Sequence, residues 1–169
     1  MSFKSWTVTL GGWSVSILKE ADFYYGAVLS TLINRGICPA LVESGKDRQI
    51  YDFVTNKKEF RLFVKCRSRP INTKTPEYSS WQFHFSDDDK RELTLFMSDE
   101  KHLSVGLVCG EDQLNKSQYA VLHREELIKL FDEKKDSFTI SRKTGEKAFG
   151  ISVGGGREKA IQIPSNRLY

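Results

Sequence analysis

With 169 residues, 39% of them hydrophobic and 28% charged, the chain has the length and composition of one folded globular domain. No apolar run reaches the length of a membrane span, and the polar start MSFKSWTVTLGG lacks the apolar core of a signal peptide, so the expected location is the cytoplasm. The net charge of +4 is mild, and Cys38, Cys66 and Cys109 are too few and too far apart for a disulfide framework or a zinc motif, which leaves buried thiols as the better reading.

Trp6, Val8 and Leu10, then Trp13, Val15 and Ile17, flank Gly11-Gly12 and predict a short strand, a bend and a lead into a helix. That helix runs from about Lys19 to Asn34, with Leu18, Ala21, Tyr25, Val28, Leu29 and Leu32 on one stripe. Gly36 stops it and Pro39 prevents its resumption. Ala40 to Val42 reads as a short strand ending at a turn, Ser44 to Asp47.

A hairpin follows. Ile50 to Val54 is β-branched and aromatic, and Asn56 supplies turn chemistry. The second run alternates with period two: Phe60, Leu62, Val64 and Cys66 on one face, expected to meet the core, and Glu59, Arg61, Phe63, Lys65 and Arg67 on the other. Pro70 ends the strand near Ser68. Between residues 57 and 74 lie Lys57, Lys58, Arg61, Lys65, Arg67, Arg69 and Lys74, with Glu59 the one acid among them. Such a strip attracts a phosphate backbone, DNA or RNA, with Lys57, Lys58, Arg61, Arg67 and Arg69 as the candidate contacts; the alternative is a solvated strand edge.

The polar loop 68–79 leads to a strand in which Trp81, Phe83 and Phe85 alternate with Gln82 and His84, a pattern of packing rather than base stacking. Ser86 then caps a helix over Asp87–Met97 whose three leading aspartates favour its positive end. Leu103 to Val108 is a buried strand. After the loop 110–117 come a strand (Tyr119–Leu122), a helix (His123–Phe131) and strands at Phe138–Ile140, Phe149–Val153 and Ala160–Ile163. Gly154-Gly155-Gly156 lacks the Gly-Lys-Ser/Thr ending of a phosphate loop, and Ser16-Ile17-Leu18-Lys19 lacks the companion motifs of a Ser-x-x-Lys acyl transferase.

Setting one extra strand aside, residues 19–109 read helix, strand, strand, strand, helix, strand, and this order resembles the αβββαβ core of the PD-(D/E)XK nuclease-like superfamily. In that superfamily an acid often lies on the first helix, an Asp on the second core strand and an acid-x-Lys triplet on the third. The resemblance therefore implies catalytic roles for Glu20, Asp52 and Lys65, with Glu20 and Asp52 as ligands of a magnesium ion that polarises the phosphate and activates water. The triplet here is Phe63-Val64-Lys65, and an aromatic ring cannot ligate magnesium; the motif is degenerate and the relationship remote.

The expectation is thus a single α/β domain over residues 1–169: a mixed sheet flanked by helices, a nuclease-like core at 19–109 and a C-terminal extension of the same domain at 110–169. The expected function is nucleic-acid engagement, weakly active or inactive in metal-dependent cleavage. The alternative is a non-catalytic interaction or regulatory domain for a protein partner.

Overall fold

The computed structural model describes residues 7–10, 13–45, 47–56, 58–71 and 75–169, with side chains from residue 17 onward. It is an α/β domain. A short antiparallel pair, β1 (Thr7–Leu10) and β2 (Trp13–Ser16), precedes α1 (Glu20–Ile33). Then come β3 (Ala40–Ser44), β4 (Arg48–Val54), β5 (Glu59–Arg67), β6 (Tyr78–His84), α2 (Asp87–Met97) and β7 (His102–Cys109). The chain continues through β8 (Gln118–His123), α3 (Arg124–Asp132), β9 (Ser137–Lys143), β10 (Ala148–Ser152) and β11 (Ile161–Pro164).

Two main sheets result. The first has the order β3-β4-β5-β7-β8 and is mixed, because β7 returns parallel to β5 while its other pairs are antiparallel. A parallel return needs a long crossover, and the segment containing β6 and α2 supplies it. The second sheet is antiparallel, β11-β10-β9-β6. The strand that interrupts the helix–strand order, β6, therefore belongs with the C-terminal strands, and the C-terminal extension shares both sheets with residues 19–109.

The two hydrophobic clusters lie on opposite faces of the first sheet. On one face, α1 sets Tyr24, Tyr25, Val28 and Leu32 against Tyr51, Phe53, Leu62 and Val64. Leu18, expected on this stripe, is instead exposed, because the helix begins after it. On the other face Ile50, Phe63, Val105 and Leu107 meet α2, α3 and the second sheet through Leu93, Leu127, Trp81, Phe83, Ile140 and Phe149. Period-two reading of β5 expected one buried face and one solvated one. Instead Leu62, Phe63 and Val64 are all fully buried and Lys65 is 4% exposed. β5 is an interior strand covered on both sides, so its alternation sorts residues between two cores.

One glycine is fixed by this packing. A Cβ on Gly106 would stand 2.2 Å from the Tyr119 hydroxyl and 2.7 Å from its ring, so only glycine lets that ring lie across β7. Among the described residues no helix is long and apolar enough to cross a membrane.

Candidate functional site

The β4–β5 register sets Arg48 opposite Lys65. Both belong to the alternation that sends Ile50 and Phe63 into the α2-side core. The N-terminus of α2 meets them there. Ser86 accepts from the Asp89 N–H at 3.1 Å and Asp89 accepts from the Ser86 N–H at 3.0 Å, a reciprocal cap that fixes the Asp89 carboxylate. Asp89 is 2% exposed. Lys65 donates to it at 2.7 Å, and Arg48 donates to its other oxygen. Lys65 also reaches Asp47 at 3.1 Å, while Arg48 reaches Glu43 at 3.0 Å and Glu92 at 2.6 Å. Two cations thus hold four carboxylates, from buried Asp89 out to Asp47 at the surface.

Aromatic rings complete the enclosure. The Lys65 ammonium lies 5.3 Å from the Phe85 ring centre, and the Arg48 guanidinium 5.5 Å from that of Phe63. Phe63, which stands where the superfamily pattern has its third-strand acid, is fully buried and stacks on Phe85 at 6.4 Å. Burial pushes the Asp89 carboxyl up, but hydrogen bonds from Lys65 and Arg48 outweigh it and hold the group below the usual carboxylate range. Glu92 goes the other way: burial raises it, and Arg48 offsets this only in part because Glu43 lies beside it.

Asp52 lies elsewhere. It receives a two-pronged hydrogen bond from Arg61 at 2.8 and 2.9 Å and a third from Lys101 at 2.5 Å. Arg61 in turn lies over the Phe96 ring at 4.4 Å. The Arg61 hydrogen bonds, with help from Lys101, hold the Asp52 carboxyl low despite partial burial. Asp52 is opposite Arg61 in register, four positions from Lys65, about 13 Å at the rise of a strand. Glu20 is the first, exposed residue of α1, which packs on the opposite face of the sheet. Glu20, Asp52 and Lys65 therefore do not converge. Alternation in β4 commits Asp52 to the face of Ile50, away from α1, so Glu20 and Asp52 cannot share one ion.

The residues that do surround Lys65 were not singled out from sequence as site residues. Asp89 carried a signal, since the spacing Ser86-x-x-Asp89 is that of a capping box, but its pairing with Lys65 is a tertiary contact 24 residues apart. The basic strip is divided as well. Arg61 and Lys65 are neutralised by acids, Lys58 is exposed at the start of β5, and Arg67 and Arg69 are exposed at its far end, with Arg69 3.6 Å from Asp112. Nine residues separate Lys58 from Arg67, roughly 30 Å of strand. Lys57 and Lys74 lie outside the described residues.

Hard carboxylate oxygens around Lys65 match the chemistry of magnesium. Their arrangement does not, because both oxygens of Asp89 are taken by Lys65, Arg48 and the Ser86 N–H, and Lys65 holds the place between Asp47 and Asp89. Among the described residues, His123, Glu125 and Glu126 bring ligand atoms within 4.8 Å of one another. Glu126, however, is the cap of α3: one oxygen accepts from the His123 N–H at 2.7 Å and the other from Arg167 at 2.8 Å. A second cation there would meet that guanidinium. No family model matches this chain, and neither a curated protein nor a solved structure does.

Proposed function

We propose that this chain is a non-catalytic interaction protein, in which the lysine expected to serve metal-assisted phosphodiester cleavage is part of a closed structural ion network. The observation that carries this reading is Lys65 itself: 4% exposed, with its ammonium bonded to both Asp89 and Asp47. A cleavage site needs an oriented water and stabilisation of developing charge beside an accessible phosphate. Lys65 is sealed from such a phosphate, and Asp52 is bound to Arg61 and Lys101 far along the strand. A protein partner is supported by the outer edge of the first sheet. There β3 leaves Leu41 50% and Val42 53% exposed, and among the described strands none pairs with its free side.

The purified protein, incubated with magnesium and single- or double-stranded DNA or RNA, is expected to cleave none of them beyond the level of Lys65→Ala and Asp52→Asn. Robust wild-type cleavage that disappears in folded Lys65→Ala would overturn the proposal. A second reading, nucleic-acid contact without cleavage, draws on Arg67 and Arg69, both exposed at the end of β5.

A further inference from the structure

β1 and β2 form a sheet of their own, and no other described strand joins them. Their register sets Val8 opposite Val15 and Leu10 opposite Trp13. Alternation along each strand then collects Val8, Leu10, Trp13 and Val15 on one face and Thr7, Thr9, Ser14 and Ser16 on the other. One face is wholly apolar and the other wholly hydroxylic. A lone two-stranded hairpin is at best marginally stable in water, and an apolar face gains stability only by being covered.

The same chain carries a surface of matching chemistry. A cavity of about 470 Å³ lies between α1, the segment that leads into β8 and the start of β8. Phe23, Ala27, Val108, Leu114, Tyr119 and Leu168 line it, and no lining residue is charged, although 28% of the chain is. Its polar side chains already have partners within the protein. The Tyr24 hydroxyl donates to the Ser68 carbonyl at 3.1 Å and Thr31 to the Ala27 carbonyl at 2.9 Å. Ser117 accepts from the Glu111 N–H at 3.1 Å, and Gln118 accepts from Arg142 at 2.9 Å. What the cavity offers an occupant is therefore apolar contact. It stands open, with Phe23 and Leu114 more than half exposed.

Position and length select the occupant. Three residues, Ile17 to Lys19, separate Ser16 from the start of α1, and they reach about 10 Å when extended. Phe23, Ala27 and Thr31 stand about one turn apart on α1 and stretch about 12 Å along it, close to the roughly 13 Å of a four-residue strand. So short a tether holds the hairpin near its own cavity at an effective concentration of about millimolar, above that of a second copy in dilute solution. We propose that the β1–β2 hairpin folds back along α1 and seats its face of Val8, Leu10, Trp13 and Val15 on this cavity, as a strap closing over its own chain. The inference is independent of the reading of Lys65.

The test uses NMR on the full chain. Nuclear Overhauser contacts are expected between the Trp13 indole and the methyl groups of Ala27, Val108 and Leu114. In a mixture of isotope-labelled and unlabelled chains these contacts should remain within one chain. Leu114→Asp should speed amide exchange at Val8, Leu10 and Val15 at least about tenfold. Leu10→Ser should shift the amides of Ala27, Leu114 and Ser117, whereas Ser14→Ala, on the other face of the hairpin, should leave them unchanged. Thermal melts establish that each variant is folded, and the wild-type contacts decide the location even where a variant is not. No contact between the hairpin and the cavity, or contacts centred on another surface, would refute the strap. Contacts found only between labelled and unlabelled chains would refute the own-chain assignment and put a second copy in its place.

Discussion

Replacing Lys65 with methionine keeps most of the side chain's length and packing but removes its ammonium from between Asp89 and Asp47. Asp89 is buried, so the change strips one of two cationic partners from a carboxylate that water cannot reach. Breaking a buried ion pair by deleting one partner typically costs about 3–5 kcal/mol. Arg48 remains bonded to Asp89, which places the cost at the lower end, about 3 kcal/mol. The contact with Asp47 adds little, because Asp47 is 67% exposed. For a chain of this size that loss lowers the melting temperature by roughly 6–12 °C. Urea unfolding followed by tryptophan fluorescence, to which fully buried Trp81 contributes alongside Trp6 and Trp13, measures it. Asp89→Asn retains an oxygen for the Ser86 cap but not the charge, and the double variant closes a cycle. The two changes should be coupled by about 2 kcal/mol. A cost below about 1 kcal/mol for Lys65→Met, or additive single variants, would show that the network does not hold this part of the sheet together.

Other outcomes follow from the same geometry. Asp89 and Asp52 titrate below the ordinary carboxylate range in the folded chain, so the unfolded chain binds more protons as pH falls through about 4; their contribution is complete above that pH and is lost below it. Glu92, raised by burial, works in the opposite sense, its contribution declining as pH rises from the ordinary value through its raised one. Asp52→Asn should therefore flatten the fall in stability below about pH 4, and an unchanged slope in urea melts would contradict the Arg61–Asp52 account. Gly106→Ala should cost about 1–3 kcal/mol by driving a methyl group into Tyr119, whereas Gly26→Ala, in mid-helix with nothing within 4 Å, should gain about 0.5–1 kcal/mol; equal effects in thermal melts would refute the packing argument. If the cations of the basic strip touch nucleic acid, changing Lys57, Lys58, Arg67 and Arg69 to glutamine should weaken a salt-sensitive affinity for DNA or RNA at two salt concentrations, and no change would assign them to solvent.

Local chemistry was enough to read most of the elements from the sequence, though Trp13–Ser16, expected as the lead into the first helix, pairs with β1 as a strand. Alternation, caps and turn residues depend on neighbours within a few positions, so α2 begins after its Ser86 cap and β7 runs through its apolar stretch, as expected. The α/β class follows from the succession of those elements. That the face of Leu62 and Val64 meets a core was legible, but that the face of Phe63 and Lys65 is buried as well was not, because period two distinguishes two faces and cannot say that both are covered. That depended on β6 leaving the first sheet to join β9, which brought Trp81 and Phe83 over Phe63. The three candidate residues do not come together for a related reason. Glu20, Asp52 and Lys65 were grouped by the order of their elements, whereas the side of the sheet on which α1 packs and the register of β4 on β5 decided their separation. Lys65 acquired its partners from α2 and from the turn before β4, contacts 24 and 18 residues distant in the chain. The sequence determined that a lysine would sit on a β-strand; only the tertiary structure decided that it would be sealed there, because an ammonium on a strand covered from both sides must find carboxylates wherever the packed elements bring them.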